Sequence, residues 1–189
     1  MDLVTRSLAG DQRAFAALFD QYKNLVYKTA YLLQGSADDA EDTLQEVFLL
    51  VYRSLSTFDP AKGAFTTWLH RITVNHCLNQ RRKRRLLLLP LDKVPPSLLP
   101  ARDASPEQRL VEEEAVRASL NQLSEKLRAV VVLRYYSDLS HLEISQVLNI
   151  PVGTVKSRLD AAVKSLRGAL NKAEGAPART GYTQKEAPK

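Results

Sequence analysis

The sequence predicts an all-α fold of two small helical modules joined by a proline-rich linker, the C-terminal module a helix-turn-helix. Three observations carry that prediction. Apolar residues recur at three- and four-residue spacing along most of the chain, the period of a helix packed on one face, and no stretch alternates as a strand does. Pro90, Pro95, Pro96, Pro100 and Pro106 crowd residues 86–106, a density that stops helices and stiffens the path. Residues 139–159 then read as two short amphipathic helices joined by a tight turn, the second one basic. That arrangement sets one helix into a DNA major groove.

Taken in order, Phe15, Leu18, Phe19, Tyr22, Leu25, Val26, Ala30 and Leu33 make one apolar stripe, which Gly35 ends. Leu44, Val47, Phe48, Val51, Tyr52 and Leu55 repeat the pattern in a second helix. The turn chemistry of residues 58–63 breaks it, with Asp59, Pro60 and Gly63. Phe65, Trp68, Leu69 and Ile72 open a third long helix that runs into the basic residues 81–85. After the linker, helical signal resumes at Glu107 and covers residues 107–121; Leu127, Val130, Val131 and Tyr135 mark the next helix. Ser140 with Glu143 three residues on forms a capping box that opens the turn motif. Asn149 suits the left-handed turn position, and Pro151 suits a first helical position, where its missing N–H costs nothing. Val155, Leu159, Ala162, Val163, Leu166 and Leu170 give the last helix its apolar face. The expected division is residues 1–86, a linker over 87–106, residues 107–172, and a frayed tail over 173–189.

Of the 189 residues, 44% are hydrophobic, enough to bury a core, and the formal charge is +6. That balance favours a polyanionic partner without choosing among nucleic acid, membrane surface and acidic protein. The lone Cys77 allows no internal disulfide, which fits a reducing compartment. The first residues lack the basic-then-apolar pattern of a secretory signal, and the longest apolar run, 86–91, is interrupted by Pro90 and far too short to span a bilayer. A cytoplasmic protein without membrane insertion is expected. No phosphate-binding Gly loop, metal-ligand spacing or nucleophile–base pair is evident, so neither an enzyme nor a cofactor is expected. His70, His76 and Cys77 are close in sequence but offer no plausible fourth ligand.

Charge is segregated within the first module. Residues 36–46 hold Asp38, Asp39, Glu41, Asp42 and Glu46 and no Lys or Arg. Residues 65–85 hold Arg71, Arg81, Arg82, Lys83, Arg84 and Arg85 and no acid. Both clusters complement a helix dipole, at an N-terminus and a C-terminus respectively. Five consecutive basics exceed what a helix end requires and point to nucleic acid. Phe58, Phe65 and Trp68 flank the loop before that run; they read either as core or as a platform for an unstacked base. Asn75 and Asn79 lie one turn apart on the following helix, where their amides either meet solvent or pair with base edges.

Two runs of residues then carry a resemblance. The first joins Asp39-Ala40-Glu41-Asp42, Gln45-Glu46-Val47-Phe48, Phe58-Asp59-Pro60, Gly63, Phe65, Thr67-Trp68-Leu69, Arg71-Ile72, Asn75 and the basic run. It resembles the promoter −10 module of bacterial extracytoplasmic-function (ECF) sigma factors. Pro151-Val152-Gly153-Thr154-Val155-Lys156-Ser157-Arg158-Leu159 resembles their −35 module, and order and spacing match over about residues 10–172. The resemblance implies a promoter-specificity subunit of bacterial RNA polymerase, whose partners are the core enzyme, promoter DNA and, in many members, an anti-sigma factor. It assigns core docking on the β′ clamp to Asp39, Glu41, Asp42, Gln45, Glu46 and Phe48, and seats the Leu127–Tyr135 surface on the β flap. It assigns −10 DNA to Phe58, Lys62, Phe65, Trp68, Arg71, Asn75, Asn79, Arg81, Arg82 and Lys83. It assigns −35 DNA to Thr154, Lys156, Ser157, Arg158, Asp160 and Lys164.

The chain departs from the family beyond Ser157-Arg158-Leu159, where Asp160, Ala161, Ala162 and Val163 stand in place of further arginines. Asp160 either repels phosphate, accepts from cytosine N4, or lies on the solvent side. A competing reading is a stand-alone DNA-binding regulator that uses only the helix-turn-helix, which leaves the acidic cluster without a role.

Overall fold

The computed structural model describes residues 3–87, 116 and 118–174, and every element in them is helical. They are α1 (Leu3–Leu8), α2 (Gln12–Gln34), α3 (Ala37–Ser54), α4 (Phe65–Leu87), α5 (Glu125–Tyr135), α6 (His141–Leu148) and α7 (Val152–Glu174). Two single 3-10 turns, Leu55–Thr57 and Pro60–Lys62, connect α3 to α4. Residues 118–121 are helical, in keeping with the end of the helix expected over 107–121. The rest of that helix, the linker beyond Leu87 and the tail beyond Glu174 lie outside the described residues.

The helix boundaries follow local chemistry. Asp11 caps α2 by accepting from the N–H groups of Arg13 and Ala14 at 3.0 and 3.1 Å. Gly35 closes it with φ +79°, its N–H reaching the Tyr31 carbonyl at 2.7 Å. Glycine carries that left-handed conformation without steric cost. Ser36 caps α3, so its acidic first turn sits at the positive end of the helix dipole. Gly63, at φ +151°, lets the loop turn sharply into α4.

The first module packs α2, α3 and α4 around Leu18, Val26, Val47, Val51 and Leu69, each at most 1% exposed. Full burial of such a side chain stabilises by about 1.5–3 kcal/mol. Tyr52, counted in the apolar stripe of α3, departs from it: it is 65% exposed, its ring set nearly perpendicular to that of Phe15 at 5.1 Å. In the second module α6 and α7 close on α5 through Ile144, Val147, Val155 and Ala162.

The two modules do not stand apart. One continuous apolar cluster holds Ala30, Leu33, Val74 and Cys77 of the first module together with Val130, Leu133 and Ile144 of the second. Helix α5 packs across the end of α2, and α6 lies along α4. The Leu127–Tyr135 surface is therefore largely consumed: Ala129 to Leu133 are buried, and Tyr135 with Tyr136 faces outward.

Candidate functional site

Three surfaces collect the residues singled out by the sequence. The first is the outer face of α3. Glu41, Asp42, Gln45 and Glu46 are exposed and Asp39 is half-buried. Leu49 and Tyr52, 58% and 65% exposed, continue that face one and two turns on. The face thus joins an acidic start to exposed apolar side chains. Glu46 is tethered from behind: its Oε2 lies 3.0 Å from His76 Nε2 and accepts from Gln80 Nε2 at 3.3 Å. Burial holds the His76 imidazole below its ordinary value, partly countered by Glu46. Phe48 corrects its assignment to this surface. It is 5% exposed, with its ring edge-on to Phe15 and Phe19 at 6.5 and 4.7 Å. Position 48 falls on the inward side of α3, so it supports the face from within.

The second surface is a cleft of about 580 Å³ between the 58–64 loop and the polar side of α4. Its wall includes Phe58, Lys62, Trp68, Arg71 and Asn75. Phe58, Phe65 and Trp68 form a mutual cluster with centroids 5.4–5.7 Å apart. Phe65, 9% exposed, serves as its buried base, while Phe58 and Trp68 are half-buried and border the cleft. The loop holds its shape through Asp59, which accepts from the Ala61 N–H at 3.0 Å and pairs with Lys62 at 3.2 Å. Those two contacts keep the Asp59 carboxyl below the usual carboxylate range. Asn75 faces the cleft, whereas Asn79 lies one turn beyond it, exposed. Arg71, Asn75, Asn79 and Arg82 continue one exposed face, with Lys83 beside it. The side chains of Arg84 and Arg85 lie outside the described residues.

Arg81 corrects a second assignment. Its Nη1 donates to the Leu33 carbonyl at 2.6 Å and its Nε lies 3.4 Å from Glu125, so it turns into the junction of the modules rather than out toward DNA. It follows Cys77 by four residues, on the side of α4 that faces inward.

The third surface is the outer face of α7. The capping box is formed as expected: Glu143 N–H donates to Ser140 Oγ at 3.2 Å, and Ser140 N–H donates to the Glu143 carboxylate at 2.8 Å. Bonds from Ser140 hold that carboxyl below its ordinary value. Asn149 takes φ 51° and ψ 51° at the turn. Pro151 differs by one position from expectation: it precedes the helix, and its carbonyl receives the N–H groups of Thr154 and Val155 at 2.9 and 3.1 Å. Val155, Leu159 and Ala162 point inward, which turns Lys156, Ser157, Asp160 and Lys164 outward together. Thr154 and Arg158 are half-buried at the edge of that face. Asp160 thus stands between two lysines one turn away on either side, on the exposed face of α7.

The residue missed from sequence is Arg128. It is 2% exposed yet makes four hydrogen bonds to carbonyls: Nε to Leu120 at 2.8 Å, Nη1 to Leu33 at 2.9 Å, and Nη2 to Asn121 and Leu123 at 3.1 and 3.3 Å. A basic residue inside the apolar run 127–133 was its only signal. His70 is also buried, at 2%, with Nδ1 lacking a hydrogen-bond partner, and burial pushes its pKa down to about 4. Cys77 is fully buried, its thiol pushed up to about 12, so it packs as a small apolar group. No metal-binding cluster occurs among the described residues, and no helix there is long and apolar enough to cross a membrane.

An acidic, partly apolar helix face, an aromatic-walled cleft beside a basic helix and a basic helix-turn-helix are the features of a modular nucleic-acid-binding protein. The comparisons with known proteins are more specific. The family model for Sigma-70 region 2 matches residues 18–86, and that for Sigma-70, region 4 matches residues 113–166. The chain is 36% identical over 171 residues to the ECF RNA polymerase sigma factor SigW of Bacillus subtilis, covering 85% of this chain and 91% of that one. It is 39% identical over 172 residues to the ECF RNA polymerase sigma factor SigE of Mycolicibacterium smegmatis, covering 86% of this chain and 65% of that one. Among solved structures, CnrH in complex with the cytosolic domain of CnrY aligns with a TM-score of 0.68 at 25% identity, over 90% of this chain and 96% of that one. The chain belongs to the ECF RNA polymerase sigma factors of the sigma-70 family. A stand-alone helix-turn-helix regulator is set aside, because it leaves the region 2 match unexplained.

Proposed function

We propose that this sigma factor directs core polymerase to promoters by reading a −35 duplex with α7 and by melting a −10 element whose displaced base enters the Asn75 cleft. Residues 1–86 serve docking and −10 recognition; residues 107–172 serve −35 recognition. The observation that carries this reading is the cleft: aromatic side chains, an asparagine amide and two cations, Lys62 and Arg71, converge on one concavity. Aromatic walls stack an extruded base, the amide pairs with its edge, and cations hold the flanking phosphates. Arg82 and Lys83, exposed on the same helix, extend the phosphate track.

The acidic face of α3 supplies the core-docking surface, with Asp42 at its centre and Leu49 and Tyr52 adding apolar contact. On α7, Lys156 and Lys164 face the duplex while Asp160 accepts from a cytosine amino group between them. The protein contributes positioning and differential binding, with no covalent step of its own. Unpairing costs a few kcal/mol, offset by stacking and hydrogen bonds in the cleft.

The test is run-off transcription with core polymerase on a promoter selected by this protein, with permanganate footprinting of the −10 region. Asn75→Ala and Trp68→Ala should leave core binding intact and abolish −10 thymine reactivity. Open-complex formation at wild-type levels in both variants overturns base capture in this cleft. Tight, specific promoter binding by the free protein without core polymerase overturns the division of labour.

A further inference from the structure

A ring of polar side chains runs through three helices behind the acidic face of α3. Thr43, fully buried on α3, donates its hydroxyl to Gln34 Oε1 at 3.2 Å. Gln34, the last residue of α2, donates to Gln80 Oε1 of α4 at 3.2 Å. Gln80 Nε2 donates to Glu46 Oε2 at 3.3 Å and lies 2.9 Å from His76 Nε2, which is itself 3.0 Å from the same carboxylate oxygen. Thr43 and Glu46 are three residues apart on α3, so the path leaves that helix and returns to it one turn on. The ring ends at the surface: the Glu46 side chain is 55% exposed, that of His76 13%. Pairing so exposed a carboxylate adds little stability. Two partners on one oxygen instead remove rotamers from a long side chain, and a partner that meets a preordered carboxylate loses less entropy on binding.

We propose that His76 and Gln80 are positioning residues for core docking, holding the Glu46 carboxylate in the orientation that the polymerase meets, and that protonation of His76 weakens docking. The proposal rests on the reading of α3 as the core-docking surface. Exposed Glu41, Asp42 and Glu46 select a basic surface there by charge. The proton enters through the geometry of His76 Nε2. That nitrogen either accepts from Gln80 through its lone pair or, as N–H, donates to Glu46; it does not do both. An imidazolium commits it to Glu46, gives up the Gln80 bond and neutralises the carboxylate from within. Glu46 of α3 and Lys83 of α4 are the charges that act on His76, while α2 contributes the neutral amide of Gln34 through Gln80. Burial, the largest effect, and Lys83 hold the ring below its ordinary 6.5, against Glu46, so Glu46 is unpaired by charge at neutral pH and becomes paired in acid.

The test is the affinity of the full chain for core RNA polymerase, titrated by fluorescence anisotropy from pH 8 to pH 5.5. His76→Ala and Gln80→Ala should each weaken binding by about two- to tenfold at pH 8, the range set by freeing one long side chain. Neither should weaken it further in a Glu46→Ala background, because a residue that acts through Glu46 has nothing left to position. His76→Gln, which keeps a hydrogen-bonding side chain without a titrating group, should recover most of the His76→Ala loss. Wild-type affinity should fall below about pH 6.5 relative to that of His76→Gln. Asp42→Arg tests the docking surface independently of the ring: unchanged affinity there overturns docking on α3, and the positioning role with it. Loss in Asp42→Arg beside wild-type affinity in His76→Ala and Gln80→Ala overturns positioning alone. A His76→Ala loss that persists in full without the Glu46 carboxylate assigns His76 to packing and likewise overturns positioning. Parallel pH profiles in wild type and His76→Gln overturn the proton coupling.

Discussion

A guanidinium at 2% exposure is tolerated only when its donors are met, and Arg128 meets them with four carbonyls. Arg128→Met keeps the apolar stem and removes the donors, leaving those carbonyls short of partners. The variant should lose about 2–4 kcal/mol, seen as a lower urea midpoint at unchanged slope. Asp42 is the opposite case. It is exposed, so Asp42→Arg should abolish core polymerase binding in a pull-down while the thermal midpoint stays within about 2 °C of wild type. Unchanged polymerase affinity would remove α3 from the docking assignment. Glu46 gives a less clean variant, because it also holds His76 and Gln80. At this scale the sequence was legible where charge and turn chemistry speak locally, as at Asp42, Gly35 and Asn149. The resemblance misled at Phe48, which the apolar stripe of α3 already turned inward, and residue type misled at Arg81, because type alone does not say on which side of its helix a residue falls once neighbours are packed.

Among the elements, α6 and α7 owe most to local chemistry. The Ser140–Glu143 box satisfies two N–H groups at the start of α6, so Ser140→Ala should cost about 1 kcal/mol, measured by thermal unfolding. On α7, Lys156 stands clear of the packed face. Lys156→Ala should weaken transcription more from promoters with an intact −35 element than from those lacking one; equal loss on both would take Lys156 out of the reading helix. Helix α4 is the element whose role could not be read from its pattern. Its first turns carry aromatic core residues, its polar side borders a cleft, and its third side, through Thr67, His70 and Val74, meets a module that begins more than thirty residues later. Periodicity identifies one buried stripe, and a helix buried on two sides blurs it.

For the molecule as a whole, acid should loosen the packing of the second module on the first. His70 is neutral in the folded state, with a pKa of about 4 against an ordinary 6.5, the cause being burial; Glu143 opposes that shift in part. An opened or unfolded chain therefore binds more protons between those values, so stability is full above about pH 6.5 and falls as pH drops toward 4. His76 shifts in the same direction, so the diagnostic is a comparison. His70→Phe, which also removes the unpartnered Nδ1, should show a shallower loss of urea stability from pH 7 to 5 than wild type. An identical slope in both would assign the effect elsewhere.

The sequence by itself determined the all-helical class, most helix ends, the helix-turn-helix and the family, because periodicity, caps and motif spacing are encoded within short stretches of chain. Only the tertiary structure decided that the modules share one core, that Arg81 and Arg128 meet at the Leu33 carbonyl, and that α6 walls the Asn75 cleft. Those contacts join residues 40–100 positions apart. Their free energy depends on which surfaces are left uncovered after each module has packed itself, and no local pattern carries that information.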